Sequence, residues 1–530
     1  MTEPEAPPAA IRADQSLFAA LLEAKARHGA GKIVLEDAER QTLTYGRLVL
    51  GSLVLGDKLA ALSRPGEAVG VLLPNVNGLA VTLFGLNAFG RAAAMLNFTA
   101  GPRNLASAVK TAPVRTVVTS RRFVEMAKLD DVVSAIAATE TAPGHKVRIV
   151  HLEDVRTSIG ALDKARGVAR SLAAARWHAR RGVRPDKVAV ILYTSGTEGL
   201  PKGVALTNRN LVANARQIYI HAAGMLTPAD IVMNPLPMFH SFGLTAATLM
   251  PLLNGLKAVL YPSPLHYKEV PRRIRETKAT FLFATDTFLQ GYGRAAEPDD
   301  LLTVRYVIAG AERVKDATRA MWSGTGAMVL EGYGATECAP VLACNLPHRN
   351  GAGTVGPLLP GIEARLEPVE GITEGGKLLV RGPNVMAGYI MADHPGVLVP
   401  PAGGWHDTGD IVTLDDGVVT IRGRAKRFAK IGGEMVSLAA VETLAQDLWP
   451  DAQHVVVSLP DPRKGEQLVL VTDKPDADKA ALLAHAQNAG FPELWVPRAV
   501  LVVGAIPVLG SGKVDLAATV ALARHTRPLL

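Results

Sequence analysis

The sequence predicts an α/β protein: a large N-terminal domain of doubly wound sheets with a small β-rich subdomain, then a small α/β C-terminal domain. Three observations carry this prediction. Between residues 68 and 119 apolar runs alternate with helical patterns in a βαβαβ rhythm, which implies parallel strands covered by helices. Past Gly353 the texture changes to short strands and turns. From Glu434 a second, shorter alternation begins. A chain of 530 residues also exceeds one ordinary core, so two to four lobes are expected.

Residues 1–15 read as a loose arm, 16–424 as the main domain with its β-rich part at about 353–424, and 425–530 as the C-terminal domain. After a helical start with one extended piece at 32–36, strands are expected at 68–73, 92–97 and 115–119, and helices at 77–89 and 104–111. The segment 156–184 holds eight Lys or Arg against one acid, Asp163. On a single helix, Arg166, Arg170, Arg176, Arg180, Arg181 and Arg184 share a broad face with Trp177, which could dock an acidic partner or an anionic membrane, or simply be a solvated face. Asn208 is the expected cap of a helix over 210–221. Further strands are expected at 231–236, 258–261, 280–284 and 306–309, with a helix at 270–276. The β-rich part holds strands at 364–368, 377–381, 409–414 and 418–422. The last domain holds helices at 438–448 and 479–487 and strands at 454–459, 467–472 and 500–503.

Composition narrows the class. Hydrophobic residues make up 48% and charged residues 20%, as in a globular enzyme. Two cysteines, Cys338 and Cys344, make neither a disulfide framework nor a four-ligand zinc site and fit a reducing cytoplasm. The acidic, proline-rich start does not read as a secretory signal. The most apolar window, 242–253, is about half of what a membrane span needs. A net charge of +8 favours anionic partners such as nucleotide, anionic lipid or an acidic protein. No nucleic-acid partner is expected.

The chemistry centres on Leu192–Gly203, which follows an apolar run that reads as a buried strand. This loop offers the hydroxyls of Thr194, Ser195 and Thr197, the glycines Gly196 and Gly199, the acid Glu198 and one cation, Lys202. Glycines let backbone N–H groups approach a polyphosphate, and hydroxyls and a lysine add donors and charge. The spacing from Gly196 to Lys202 differs from GxxxxGK[ST], so an ordinary phosphate-loop NTPase is disfavoured. Four further clusters stand out. Residues 331–337 join Tyr333 and Gly334 to the hydroxyl of Thr336 and the carboxylate of Glu337, suited to a base, a phosphate and Mg²⁺. His406–Asp410 ends in a carboxylate suited to ribose hydroxyls, Gly423-Arg424 offers another ribose or phosphate contact, and Ser511-Gly-Lys513 presents a cation. Taken singly, each could be turn chemistry.

Taken in order, the five motifs resemble the adenylate-forming superfamily of acyl-CoA synthetases, luciferases and peptide-synthetase adenylation domains. The resemblance spans about residues 16–523. Within it, Pro237–Gly243, Ala309–Arg313 and Lys426–Ser437 look most like the acyl-[acyl carrier protein] synthetase half of bifunctional 2-acylglycerophosphoethanolamine acyltransferases. No His-x₄-Asp spacing of an acyltransferase lobe occurs, so that second activity is not expected.

The resemblance implies an ATP- and Mg²⁺-dependent acid–thiol ligase that makes an acyl-adenylate and passes the acyl group to a phosphopantetheine thiol. The acceptor implied is acyl carrier protein, with CoA close behind, and the substrate a medium- or long-chain fatty acid. Residues 194–202 would hold the β- and γ-phosphates; Gly310, Ala311 and Glu312 with Tyr333 would sandwich adenine. Thr336 would contact the α-phosphate, Glu337 would ligate Mg²⁺, and Asp410 and Arg424 would bind ribose. His240 would sit where the acyl pocket meets the nucleotide. Lys513 would bridge carboxylate and α-phosphate in the first step. The C-terminal domain would then turn about a hinge at Lys426 and present Lys430. The enzyme would be cytoplasmic, with a peripheral membrane contact open. A non-catalytic acyl- or nucleotide-binding protein of fatty-acid uptake is the alternative, disfavoured because a pure binder needs no mobile lysine.

Overall fold

The computed structural model describes residues 13–195, 201–372, 374–431, 434–461, 465–489, 491–508 and 514–525. The chain divides into two compact units, one of Met1–Glu363 with Val380–His406, the other of Ala364–Leu379 with Asp407–Leu530. Compactness therefore groups residues 407–424 with the C-terminal segment, whereas the motif-based division keeps them with the main domain.

The first unit holds two mixed eight-stranded sheets. One runs Val341–Cys344, Met328–Gly334, Tyr306–Ala309, Phe281–Ala284, Ile231–Asn234, Lys257–Leu260, Ile33–Glu36, Thr42–Thr44. The other runs Leu398–Val399, Gly388–Ile390, Pro201–Thr207, Val188–Ser195, Ala92–Met95, Ala68–Val71, Thr116–Thr119, Arg148–His151. Their middles are parallel, as the βαβ alternation demands; antiparallel pairs lie towards the edges. The central strands are buried along their length, and this is why they read as unbroken apolar runs. The second unit contains a four-stranded sheet, Glu363–Glu367, Gly376–Arg381, His406–Asp415, Val418–Arg424, and a five-stranded sheet. The latter is covered by the helices Leu438–Leu448 and Lys479–Asn488 around its own apolar cluster.

Two local expectations change, and one element had none. The helix Asn208–His221 is capped by Thr207, whose Oγ1 accepts from Asn210 N at 3.1 Å while Asn210 Oδ1 accepts from Thr207 N at 2.8 Å. Asn208 instead ties chain segments together: its Oδ1 accepts from Leu17 N and its Nδ2 donates to Lys187 O. Next, Phe242–Leu249 is a π-helix. Its first turn is pinned because the Gly243 carbonyl accepts from Asn234 Nδ2 (3.0 Å) and Thr248 Oγ1 (2.8 Å), side-chain bonds that compete with the α-helical ladder. A Cβ at Gly243 would stand 2.5 Å from the carbonyl oxygens of Leu236 and Pro237, so only glycine permits this turn.

The basic segment is two helices, Ala161–Leu172 and Ala174–Arg180, broken at Ala173. Several of its arginines are engaged within the protein. Arg166 and Arg170 pair with Asp57, Arg184 pairs with Asp186, and the Arg170 and Arg181 guanidinium groups lie over the rings of Phe89 and Trp177.

His178 in the second of these helices is buried. The Ala88 carbonyl can only accept, so Nδ1 carries the proton (3.1 Å), and Nε2 accepts from Ser16 Oγ (2.6 Å). Burial pushes its pKa down to about 4. A histidine depressed in the folded state stabilises fully above its unfolded pKa of about 6.5 and loses that contribution as pH falls towards 4. The loss expected is on the order of 3 kcal/mol. Denaturant titrations should show a steeper fall of unfolding free energy between pH 6.5 and 4 for the native chain than for His178→Gln; parallel slopes would contradict the burial argument.

Candidate active site

The strands on either side of the phosphate-type loop form an antiparallel pair. Val188–Ser195 pairs with Pro201–Thr207 in a register that sets Lys202 opposite Thr194 and Val204 opposite Leu192. The expected residues Gly196, Thr197, Glu198 and Gly199 lie outside the described residues, as does Lys513. Thr194 Oγ1 is buried and has no hydrogen-bond partner among the described residues, a donor oriented without an internal acceptor.

Lys202 Nζ reaches Glu337 Oε1 at 3.6 Å and stands 3.8 Å from the centroid of the Tyr389 ring. Tyr389 Oη donates to the same Glu337 oxygen at 2.6 Å. The third partner comes from the strand Gly388–Ile390, which pairs with Pro201–Thr207 so that Tyr389 faces Val204. Lys202 lies two residues from Val204 on the same face, so the lysine and the ring meet diagonally. No motif marked Tyr389; only strand register brings it here.

Burial alone would raise the Glu337 pKa. The hydrogen bond from Tyr389, with smaller contributions from the charges of His406 and Lys202, outweighs burial and holds the carboxyl below its ordinary value. The result is an ionised, half-buried carboxylate beside a cation. The turn that carries it is braced from one segment: Met386 N donates to Glu337 O at 2.7 Å and Asn384 Nδ2 to Cys338 O at 2.8 Å. At its start, a Cβ on Gly334 would stand 2.2 Å from Pro340 O, so the close approach of the two backbones requires glycine.

Thr336 Oγ1 lies 3.4 Å from Ser241 Oγ, joining this turn to the segment that carries His240. His240 is exposed, edge-on to the buried Phe239 with centroids 4.7 Å apart. Its approach is set by Asn75, 3% exposed, whose Oδ1 accepts from Met238 N at 2.9 Å and whose Nδ2 donates to Leu236 O. Asn75 is a positioning residue the motifs did not single out.

Gly310, Ala311 and Glu312 follow the strand Tyr306–Ala309, and Ala311 adopts φ 69°. Glu312 accepts from Thr287 N (3.1 Å) and Thr287 Oγ1 (2.9 Å), so its carboxylate caps the helix Asp286–Ala295. This leaves the backbone of 310–312 as the surface a planar ligand would meet. Glu331 secures the same loop by accepting from Val314 N at 3.2 Å and pairing with Arg319. Tyr333, 8% exposed, sits in the adjacent strand.

In the second unit, Asp410 and Arg424 are direct cross-strand partners, with Arg424 Nε 3.1 Å from Asp410 Oδ1. Asp410 is buried and Arg424 exposed, so the arginine extends over the carboxylate rather than enclosing it. Lys430 is exposed and reaches Glu370 at 3.0 Å, while its backbone N–H donates to Glu466.

Lys202, Thr194, Thr336 and Glu337 thus form a donor and carboxylate set on one unit that fits a metal-chelated polyphosphate: two hydroxyls and a cation for phosphate oxygens, one ionised carboxylate for a divalent ion. Among the described residues no group of three or more His, Cys, Asp or Glu could hold a metal by itself; a single carboxylate fits Mg²⁺, which takes its other ligands from phosphates and water.

Known proteins resemble this chain along most of its length. A long-chain-fatty-acid–CoA ligase of Yersinia pestis is 27% identical over 463 residues, 80% of this chain and 79% of that one. A feruloyl-CoA synthase of Amycolatopsis sp is 29% identical over 490 residues, 89% and 92% of the two chains. ATP-bound MatB from Rhodopseudomonas palustris shares the fold with a TM-score of 0.79 at 23% identity, over 97% of this chain and 99% of its own. The o-succinylbenzoate CoA synthetase of Bacillus subtilis, solved with its acyl-adenylate intermediate, gives 0.77 at 21% identity, over 97% and 99%. The model of the AMP-binding enzyme family matches residues 22–390, and the chain belongs to that family.

Proposed function

We propose that the protein is an ATP- and Mg²⁺-dependent acid–thiol ligase that activates an aliphatic carboxylic acid as its adenylate and transfers the acyl group to a thiol. The observation that carries this is the Lys202–Tyr389–Glu337 cluster beside the unpartnered Thr194 hydroxyl. A carboxylate approaching an α-phosphate is one anion meeting another, so the barrier is mainly electrostatic and is lowered by fixed cations and donors. Lys202 and the loop before it would hold the departing pyrophosphate, Thr336 the α-phosphate and Glu337 a Mg²⁺ that neutralises phosphate charge. The 310–312 backbone and Tyr333 would take the adenine, Asp410 and Arg424 the ribose, and Lys513 the reacting carboxylate. Lys430 would replace Lys513 after a turn about Lys426, separating adenylation from thiol attack.

CoA is the acceptor we favour. Its support is the naming of the relatives as CoA ligases and synthases, and the loss of one argument for an acidic carrier protein: part of the basic 156–184 face is engaged in internal ion pairs. The fatty-acid ligases among the relatives support a medium- or long-chain fatty acid. Cys338 and Cys344, not joined to each other in a disulfide, suit the cytoplasm. Acid-dependent ATP–pyrophosphate exchange across a chain-length series, followed by thioester formation on CoA and on holo-acyl carrier protein, tests each part. Absence of exchange would leave a non-catalytic nucleotide or acyl binder, and strong preference for the carrier protein would reverse the acceptor.

Tyr389→Phe isolates one contribution. It keeps the ring under Lys202 but removes the bond that depresses the Glu337 pKa. The Glu337 pKa should rise, and the acid limb of the exchange pH profile should move to higher pH. An unmoved limb would separate Glu337 from the titration that limits exchange.

A further inference from the structure

The helix Ala161–Leu172 packs with its polar side inward. Residues 163, 166, 167 and 170 share one face. Asp163 pairs with Lys58 at 2.7 Å, and Arg166 and Arg170 with Asp57 at 3.2 and 2.7 Å. Gly167 lets the helix touch its neighbour Tyr45–Ala60 at backbone distance, for a Cβ there would stand 2.3 Å from Val54 Cγ2. Ion pairs and this close approach together lock the rotation of the helix about its axis.

The opposite face is apolar and open. Leu162, Ala165, Ala169 and Leu172 recur at helical spacing with Val168 beside them, all exposed; Leu162 and Leu172 are 81% and 86% accessible. A row of this kind in water runs against the hydrophobic effect and marks a contact surface. Its margins are cationic: Lys164 on the same helix, Arg176 and Arg180 on the exposed side of the next. The one acid of the segment, Asp163, is held by Lys58.

We propose that these two helices seat the protein on an anionic lipid surface, with Leu162, Val168 and Leu172 entering the acyl boundary and Lys164, Arg176 and Arg180 meeting the headgroups. Charge decides the occupant. A second copy docked symmetrically would bring this cationic margin against itself, whereas an anionic bilayer complements it and accepts the apolar row. The contact is peripheral; among the described residues no helix is long and apolar enough to cross a membrane. The inference stands apart from the proposed reaction and is tested without it.

Flotation of the full chain with phosphatidylcholine vesicles, with and without phosphatidylglycerol, is the experiment. The native chain should float with the anionic vesicles, less so as salt rises, and weakly with phosphatidylcholine alone. Leu162→Glu with Leu172→Glu should cut partitioning at least about tenfold. Lys164→Glu with Arg176→Glu should also weaken it, by about fivefold or more per cation lost. Circular dichroism of both double variants should match the native chain, since the altered side chains are exposed, and the second pair serves if the first fails to fold. Failure of the native chain to float, flotation unaffected by both pairs, or a concentration-dependent dimer abolished by the leucine variants would overturn the proposal.

Discussion

Lys202→Ala should lower acid-dependent ATP–pyrophosphate exchange by about a hundred- to a thousandfold, the range found when one fixed donor to a developing anion is removed. Transfer from a supplied acyl-adenylate should fall by less than about tenfold, because pyrophosphate has already left at that stage. The split follows from position. Lys202 sits near the start of the strand Pro201–Thr207, opposite Thr194 and 3.6 Å from Glu337. Its ion pair is partly exposed, so unfolding stability should change by less than about 1 kcal/mol. Equal losses in both half-reactions would assign Lys202 to the reacting carboxylate rather than to the leaving group.

Glu337→Gln should be nearly as damaging, by about a hundredfold at saturating ATP, and should raise the Mg²⁺ concentration needed for half-maximal exchange. Glutamine keeps the shape and can still accept from Tyr389 Oη, so the hydrogen-bonded frame survives while the charge is lost. That separates a metal-binding carboxylate from a structural one. The native carboxylate is already held ionised by Tyr389, His406 and Lys202 against the effect of burial, which is the state a divalent ion requires. A Mg²⁺ titration of exchange checks it; an unchanged Mg²⁺ requirement would remove Glu337 from the metal site.

Much of the fold was legible in the sequence because buried strands read as apolar runs and helices carry their own period. The strand Tyr306–Ala309 and the helix Leu438–Leu448 match their expected bounds, and most others differ by a few residues at the ends. Ends shifted where side chains decided them, as when Thr207 rather than Asn208 capped a helix. The π-helix Phe242–Leu249 was not legible because its cause, Asn234 reaching Gly243, lies outside the segment. Which arginines of 156–184 are paired was not legible for a related reason: Asp57, the counter-charge of Arg166 and Arg170, is about a hundred residues away in sequence.

The same division holds at the site. Residue chemistry and motif order by themselves pointed to a cation at 202, a hydroxyl at 336 and a carboxylate at 337 as a set for a nucleotide phosphate. Only the tertiary structure brought Tyr389 between them, because a side chain's cross-strand neighbours depend on pairing and register, which a lone Gly-Tyr-Ile does not encode. Likewise, periodicity grouped Arg166 and Arg170 on one broad face, but ion pairs with Lys58 and Asp57 and the close contact at Gly167 decided which face of Ala161–Leu172 meets solvent. Local patterns are set by neighbours along the chain; orientation is set by partners the chain reaches only after it folds.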